Sequence, residues 1–521
     1  MPSSADPSIA GRVRLFAVPG LVMVLALVVV PVLALGVSTI DSASLFGVWS
    51  RPGIVEALGF TVVETVLSTA VTVVLGLAPA WALSHHSMPG HRFALAVTTV
   101  PFMLPTVVVG AAFLGLLPGS VERGLVAVVI AHAYFNVAVV IRTVAPVWAT
   151  IDPMLVAAAR NLGASRSRAF VSVTLPLLKP ALVSAVAIVG FMCATSYGVV
   201  RMLGGGDATL EVEVYRRAIL FGDIAGASTL AVAQLLLAAF CLFVWAGKDR
   251  VVFTESGHRS RRRDHPTARV VAVIATVLTV APLVALVLSS IRSRGHWTLA
   301  GWRLLTSDSD VPGLRVDLPD VLFRSLSFAV IAAAIAVPVG IATSTFSATR
   351  RTFLDRVLLL PLGASAVAVG LGIVITYDSE PFDFRSSWWL PPVVHAVVAL
   401  PFVIRVVQPV QSRIPGHLRS AAATLGASPF RVWATVDVPL ISGAIRTAVG
   451  LSLAISLGEF GATSFLTRND TDTLPIAVEQ LLGRSGDLAR LAGHGVAVVL
   501  LMVTLVALAF TTRSRHSWSA S

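Results

Sequence analysis

Apolar runs of about 20 residues recur along the whole chain, and they restrict its fold more than any other feature of the sequence. A helix of that length crosses the hydrocarbon core of a bilayer, which is roughly 30 Å thick. Within lipid, every backbone N–H and C=O group needs a partner in the protein, so a spanning segment is a helix or a strand of a closed barrel. The runs are continuously apolar rather than alternating, which favours helices.

Composition and charge agree with a membrane protein. Of the 521 residues, 56% are hydrophobic and 13% are charged, which is about half the charged fraction of a soluble domain. The formal net charge is +12, but the basic residues are concentrated in short loops, so we attribute them to membrane topology rather than to nucleic-acid binding. The two cysteines, Cys193 and Cys241, lie in apolar segments, and the sequence predicts neither a disulfide framework nor a metal site.

We predict an all-α integral membrane protein with about twelve transmembrane helices. The predicted spans are approximately residues 15–37, 58–83, 94–117, 125–146, 180–202, 227–246, 270–291, 321–345, 356–377, 390–411, 442–466 and 490–511. With the N-terminus in the cytoplasm, the inner loops carry more Lys and Arg and the outer loops are richer in Asp and Glu. The positive-inside rule therefore predicts that both termini are cytoplasmic.

A polar loop occurs twice in this apolar chain. The stretch NLGASRSRAFVSVTLP begins at Asn161, and TLGASPFRVWATVDVP begins at Thr424. A shift of 263 residues aligns the two copies, and 9 of the 20 positions from Ala157 onward are identical. The same shift aligns His132 with His395, which indicates an internal duplication, as in many transporters.

The duplication predicts two homologous halves with six spans each. The first half covers residues 1–246 and the second covers residues 270–521. Between them, residues 247–269 are polar and basic, and we interpret this stretch as a cytoplasmic linker. The two loops, at about residues 153–178 and 414–441, are then also cytoplasmic.

Each loop has paired alanines, a glycine four residues later and a proline 13 residues after the glycine. These residues are Ala158, Ala159, Gly163 and Pro176 in the first copy, and Ala421, Ala422, Gly426 and Pro439 in the second. The glycine permits a turn after a short helix, and the proline suits the first turn of the next helix. We predict a helix–turn–helix on the cytoplasmic face, in which a membrane helix starts at the proline.

This pattern resembles the EAA loop of ABC importer permeases, on which the ATPase subunit docks. The resemblance implies a type I ABC importer-like fold, two ABC ATPase subunits on the cytoplasmic side and an external solute-binding protein. The glutamate of the motif is replaced by Ala157 and Ser420. We expect the polar docking contacts to come instead from nearby arginines, namely Arg160, Arg166, Arg168 and Arg431.

No enzyme activity is predicted for this chain. Its sequence contains no G-x-x-x-x-G-K-[ST] phosphate-binding loop, so ATP and Mg are expected on the partner ATPase. We predict no catalytic residues and no cofactor here, and no nucleic-acid partner. The alternative of a different class is an ion-coupled secondary transporter with the same duplication, against which the paired loops argue. The expected location is the bacterial cytoplasmic (inner) membrane.

Two further segments point to the transported solute. Residues 196–215 and 456–482 resemble the fused permeases of thiamine importers and of their ferric-iron relatives. The glycine triplet at 204–206 followed by LEVEVY favours the thiamine type, so the predicted solute is thiamine or a thiamine-like cation. A ferric-iron importer remains the alternative.

The same segments supply candidate residues of the translocation pathway: Ser196, Tyr197, Ser456, Glu459 and Phe460. An ionised carboxylate within a span is costly and usually faces a partner or water. Glu459 is therefore predicted to lie mid-span, where it lines the pathway, pairs with an arginine or caps a helix break. We interpret His132 and His395 as packing or interhelical hydrogen-bonding residues, with iron ligation as the alternative. Glu64 has no partner identifiable from the sequence.

Overall fold

The computed structural model describes residues 18–41, 53–85, 90–246, 266–306, 317–347, 360–378, 387–468 and 472–512, with a few single positions between these ranges. Most of the predicted linker, residues 247–265, lies outside them. Nine of the described helices are long and apolar enough to cross a membrane, and one bent pair makes a tenth candidate. The all-α membrane fold is therefore confirmed, with nine to ten candidate spans; twelve remains a prediction.

The described elements follow in chain order. The helices of the first part are α1 (Val30–Asp41), α2 (Ile54–His85), α3 (His91–Thr99), α4 (Thr106–Leu116), α5 (Leu125–Thr150), α6 (Pro153–Asn161), α7 (Arg166–Ala169), α8 (Leu175–Ala194), α9 (Gly198–Leu203), α10 (Leu210–Tyr215), α11 (Ile224–Ala246) and α12 (Pro266–Ile291). A hairpin of β1 (Arg292–Ser293) and β2 (His296–Trp297) follows. The remaining helices are α13 (Ala300–Thr306), α14 (Leu318–Ser347), α15 (Ala366–Tyr377), α16 (Leu390–Gln411), α17 (Gly416–Thr424), α18 (Pro429–Val432), α19 (Val438–Gly458), α20 (Thr463–Leu466), α21 (Leu474–Leu482) and α22 (Asp487–Thr512).

The span predicted at residues 94–117 is not one straight helix. It consists of α3 and α4, which are bent by 103° relative to each other. Pro101 begins a short 3₁₀ turn, and Leu104 has an extended backbone with ψ of 150°. Because a proline disfavours helical backbone in the residue before it, Pro105 prevents the helix from continuing through Leu104.

The chain packs as two compact units that do not coincide with the predicted halves of the sequence. One unit comprises residues 46–213 and 233–299, and the other comprises residues 1–45, 214–232 and 300–521. We call them unit A and unit B. Unit A contains α12, the first helix of the second half, packed with helices of the first half. Unit B contains α1, from the start of the first half, packed with helices of the second half.

Hydrogen bonds show this exchange of first helices. In unit A, the Tyr134 hydroxyl on α5 donates to the carbonyl of Thr279 on α12, at 2.9 Å. In unit B, the Tyr377 hydroxyl at the end of α15 donates to the carbonyl of Ala26, just before α1, at 2.7 Å. The duplicated sequence is therefore not two separately packed halves.

The duplication is visible in how the central helices meet within each unit. In unit A, a Cβ added at Gly76 of α2 would lie 2.6 Å from Cβ of Val140 on α5. In unit B, a Cβ added at Gly340 of α14 would lie 2.4 Å from Cγ1 of Val403 on α16. Small residues let membrane helices approach closely, where dispersion forces hold them together. The same close approach is thus built twice.

Candidate coupling loops and buried polar sites

The two polar loops have the same backbone structure. α6 and α17 each end in a glycine with positive φ, 88° at Gly163 and 81° at Gly426. The glycine N–H donates to the third carbonyl before it, and the next N–H donates to the fifth carbonyl before it: Ala164 N to Ala159 O and Ala427 N to Ala422 O, both at 3.1 Å. This is the Schellman helix ending, in which glycine avoids the strain that a side chain meets at positive φ.

The helix after each turn begins earlier than predicted. Ser165 and Ser428 cap α7 and α18, since their hydroxyls accept from Arg168 N and Arg431 N. A single π-helical turn, Phe170–Thr174 or Trp433–Asp437, then continues into the membrane helix. The prediction that the helix starts at Pro176 and Pro439 is therefore wrong. The wider turn accommodates the proline, which has no N–H to donate and whose ring crowds the preceding turn.

Both turns are exposed and carry the same apolar residue at their tip. Leu162 is 89% exposed and Leu425 is 88% exposed. The four candidate docking arginines, Arg160, Arg166, Arg168 and Arg431, are also exposed. Ala158 and Ala421 are exposed, whereas Ala159 and Ala422 are half-buried. An exposed apolar tip with arginine nearby is a surface that suits a protein partner.

The second loop alone has a described ion pair that ties it to the membrane helix. Arg419 Nε of α17 donates to the Asp437 carboxylate at 2.8 Å, and that carboxylate is 7% exposed. The equivalent positions in the first loop are Val156 and Thr174, which cannot form an ion pair. The loops therefore have the same backbone conformation, but only α17 is held to the start of its membrane helix by a described ion pair.

A polar cluster lies in the interior of unit A. His132 on α5 bonds through Nδ1 to the carboxylate of Glu64 on α2, and through Nε2 to Oγ of Ser196 at 2.8 Å. Glu64 also accepts from the Ser68 hydroxyl at 2.7 Å. Glu64 is fully buried and His132 is 1% exposed. The interhelical hydrogen bond predicted for His132 is thus present, and Glu64 is its partner.

Cys193 borders the same cluster. It lies on α8, is fully buried, and its sulfur accepts from Nδ2 of Asn136 at 3.6 Å. Ligand atoms of Glu64, His132 and Cys193 all lie within 4.8 Å of one another. A grouping of these three residue types was not predicted, because they come from three separate helices.

The equivalent histidine in unit B has different partners. His395 on α16 bonds through Nδ1 to Oγ of Ser456 at 2.8 Å and through Nε2 to Oγ1 of Thr463 at 2.9 Å. Its Nε2 also lies 3.5 Å from the Glu459 carboxylate. Two hydroxyls and one carboxylate thus surround His395, and no sulfur takes part.

Glu459, which was predicted to lie mid-span, follows the end of α19 at Gly458. Its carboxylate accepts from Ala462 N and Thr463 N at 2.9 Å each, and from the Thr463 hydroxyl. Of the alternatives for this residue, capping of a helix break is the one that the geometry realises.

Three of the remaining pathway candidates also lie at helix breaks, and Ser456 lies in the last turn of α19. Ser196 and Tyr197 follow the end of α8, and Phe460 follows Glu459. Tyr197 and Phe460 are 6% and 3% exposed. The structure therefore groups Ser196 with His132, and Ser456 with Glu459 and His395; a role of these residues in transport stays a prediction.

Comparison with known proteins identifies the kind of molecule that carries these loops. The family model for the binding-protein-dependent transport system inner membrane component matches residues 72–294, which contain the first loop and His132. Over these residues the chain is similar to the inner-membrane permease component of binding-protein-dependent transport systems. The resemblance noted in the sequence is confirmed over these residues, and the matched component is a membrane permease rather than a catalytic subunit. Systems of this type work with an ATPase and a solute-binding protein.

Individual relatives of this permease differ in how much of it they match. The putative 2-aminoethylphosphonate transport system permease protein PhnV of Salmonella typhimurium is 29% identical over 250 residues, which are 46% of this chain and 92% of that protein. The thiamine transport system permease protein ThiP of Brucella abortus is 25% identical over 497 residues, 88% of this chain and 87% of that protein. ThiP of Brucella suis is 24% identical over 495 residues. The match to ThiP supports one fused chain that contains both halves of the permease.

Proposed function

We propose that this permease forms the translocation pathway of an ATP-driven importer for thiamine or a thiamine-like cation. The observation that carries the proposal is the relationship to ThiP, which extends over 88% of the chain and therefore over parts of both sequence halves. The resemblance of residues 196–215 to the thiamine type points the same way.

Twelve spans are part of the proposal. Two shorter apolar helices, Ile224–Phe240 and Ala366–Tyr377, add to the nine long helices and the bent pair. Each of the twelve predicted spans overlaps one of these elements. An even number of spans places both termini on one side, and the basic loops favour the cytoplasm.

Two ATPase subunits are proposed to dock on the two loops, one on each. The Gly163 and Gly426 turns and the exposed Leu162 and Leu425 give each loop the same presenting surface. ATP-driven closure of the ATPase subunits would move the loops, and with them α8 and α19, because each loop continues into a membrane helix without a break. An external binding protein would deliver the solute.

A second candidate solute is 2-aminoethylphosphonate, because PhnV matches 46% of the chain at 29% identity. A third is ferric iron, from the resemblance to the iron-importer branch.

The test is uptake of labelled thiamine, 2-aminoethylphosphonate and ferric iron by cells of the native host with and without this gene. We expect thiamine uptake alone to be lost and to return with the wild-type gene. Loss of another solute's uptake with thiamine uptake intact would contradict the proposal. If uptake continues unchanged in cells that are depleted of ATP but contain no ionophore, an ion-coupled carrier is favoured instead.

A further inference from the structure

The cluster of Glu64, His132 and Cys193 carries an inference beyond transport. Its three side chains come from α2, α5 and α8, and each is no more than 1% exposed. A thiol, an imidazole and a carboxylate are the ligands that zinc takes in proteins. With bonds of about 2.0–2.3 Å and tetrahedral angles, donors on one zinc ion lie about 3.3–3.8 Å apart. The observed donors lie within 4.8 Å of one another, so a closure of about 1 Å would suffice.

Charge favours a divalent ion at this place. A thiolate and a carboxylate carry two negative charges, and the imidazole binds metal in its neutral form. With a divalent cation, the assembled site has no net charge. Since a net charge within the membrane interior is costly, this donor set suits a divalent ion better than a monovalent or trivalent one.

The surrounding residues provide the supporting hydrogen bonds that metal ligands need. Ser196 Oγ lies 2.8 Å from Nε2 of His132, which holds the ring so that Nδ1 faces the cluster. Ser68 donates to Glu64 at 2.7 Å, and the Asn136 amide donates to the Cys193 sulfur. Such partners orient metal ligands and tune their basicity.

Asn136 supplies a separate indication that a ligand belongs here. It is 1% exposed, and its Oδ1 has no hydrogen-bond partner within the described part of the chain. A buried carbonyl oxygen without a partner is unfavourable. A water molecule in the fourth position of a tetrahedral ion could donate to this oxygen.

We propose that Glu64, His132 and Cys193 bind one divalent metal ion of the zinc type and so cross-link α2, α5 and α8 within unit A. The counterpart in unit B lacks the means to do so. There, Ser456 stands at the repeat position of Cys193, and both Glu459 oxygens already accept backbone N–H groups. The chain thus contains its own negative control.

The test uses the full-length permease, purified in detergent with an affinity tag that contains no histidine and then stripped with a chelator. Titration with Co²⁺ reports a thiolate ligand through sulfur-to-cobalt charge-transfer absorption, and competition with Zn²⁺ gives the zinc affinity. We expect one ion per chain and a charge-transfer band. Cys193→Ser should abolish the band and weaken zinc binding by at least about tenfold. Zinc should raise the thermal unfolding midpoint of the wild type but not of this variant.

Two matched variants complete the test. Cys241→Ser removes the chain's other cysteine, and His395→Gln removes the equivalent histidine; both should keep the band and the zinc affinity. A wild type without the band, a Cys193→Ser variant that retains it, or a His395→Gln variant that loses it would overturn the proposal. Where Cys193→Ser does not elute as a folded species, His132→Gln replaces it, with the same tenfold expectation. Because the readout is binding, failure of this proposal is distinguishable from failure of the proposed transport function.

Discussion

At the scale of single residues, the duplication preserved a buried histidine but changed which carboxylate lies beside it. His132 meets Glu64 on α2, whereas His395 meets Glu459 at the end of α19. The shift that aligns Gly76 with Gly340 also aligns Glu64 with Phe328. The Phe328 ring lies edge-on to His395, with ring centroids 6.2 Å apart. The carboxylate thus comes from a different helix in each unit.

Variants of Glu459 test whether this residue caps a helix break, guides the solute, or does both. Glu459→Ala would leave the N–H groups of Ala462 and Thr463 buried without partners, at about 1–3 kcal/mol each. We expect a lower free energy of unfolding in Glu459→Ala and a smaller decrease in Glu459→Gln, whose amide oxygen can still accept from one of the two N–H groups. Thermal unfolding of the purified variants measures this.

Uptake by the Glu459→Gln variant separates the two roles. If Glu459 acts only as a cap, thiamine uptake survives in this variant. If the negative charge also guides a cation, uptake is lost in Glu459→Gln although this variant stays folded. Equal stability of Glu459→Ala and wild type would contradict the capping role.

At the scale of elements, close helix packing and the loop turns both depend on glycine, for different reasons. Gly76 and Gly340 lack a side chain because a valine of the neighbouring helix occupies the space. Gly163 and Gly426 have open space around a would-be Cβ, and their requirement comes from positive φ alone. Substitution should therefore damage packing in the first pair and loop geometry in the second.

Gly76→Ala and Gly340→Ala are expected to destabilise the permease by about 1–3 kcal/mol each, because the added methyl overpacks the helix contact. The control is Gly59→Ala on α2, where an added Cβ meets nothing within 4 Å and alanine favours the helix. Thermal unfolding in one detergent compares the three variants. Similar midpoints for Gly59→Ala and Gly76→Ala would show that the contact at Val140 is looser than described.

Gly163→Pro and Gly426→Pro test the loops as levers. Proline cannot adopt positive φ and lacks the N–H that closes the turn, so each variant loses the Schellman ending. We expect ATP hydrolysis stimulated by loaded binding protein to fall to the basal rate, while the ATPase still copurifies.

The control for the lever test is Gly416→Ala at the start of α17, which has ordinary φ and open space. It should couple normally. Normal stimulation in both proline variants would contradict the lever mechanism.

At the scale of the whole molecule, each compact unit takes helices from both halves of the sequence. Unit A includes α12 from the second half, and unit B includes α1 from the first. A chain cut within the linker would therefore leave each unit made of two fragments that still contact each other.

We predict that the permease remains assembled after cleavage at a protease site inserted between residues 255 and 258. The packing of α12 on α2, α3 and α4, with the Tyr134–Thr279 hydrogen bond to α5, should keep both fragments together during size-exclusion chromatography in mild detergent. A second cleavable variant, with α12 replaced by an unrelated apolar helix, should lose fragments more readily. Separation of the fragments in the first variant would contradict the exchanged packing.

The sequence by itself determined the features that follow from local patterns. Apolar runs predict helices because lipid offers no partner to the backbone. The glycine that follows the paired alanines by four residues in each loop, Gly163 or Gly426, predicts the paired turns because few other residues adopt positive φ. The span predicted at 390–411 is reproduced by α16, Leu390–Gln411. The start of the helices near Pro176 and Pro439 was predicted wrongly, because a π-helical turn tolerates proline and leaves no mark in composition.

Only the tertiary structure decided which polar residues meet and which helices share a unit. Glu64, His132 and Cys193 are far apart in the chain, and a fixed shift between the repeats does not align Glu64 with a carboxylate. The exchange of α1 and α12 is equally invisible, since helices of similar hydropathy can pack in either arrangement. Local energies fix where a helix forms, whereas the partner it packs against depends on the shapes of surfaces brought together only by folding.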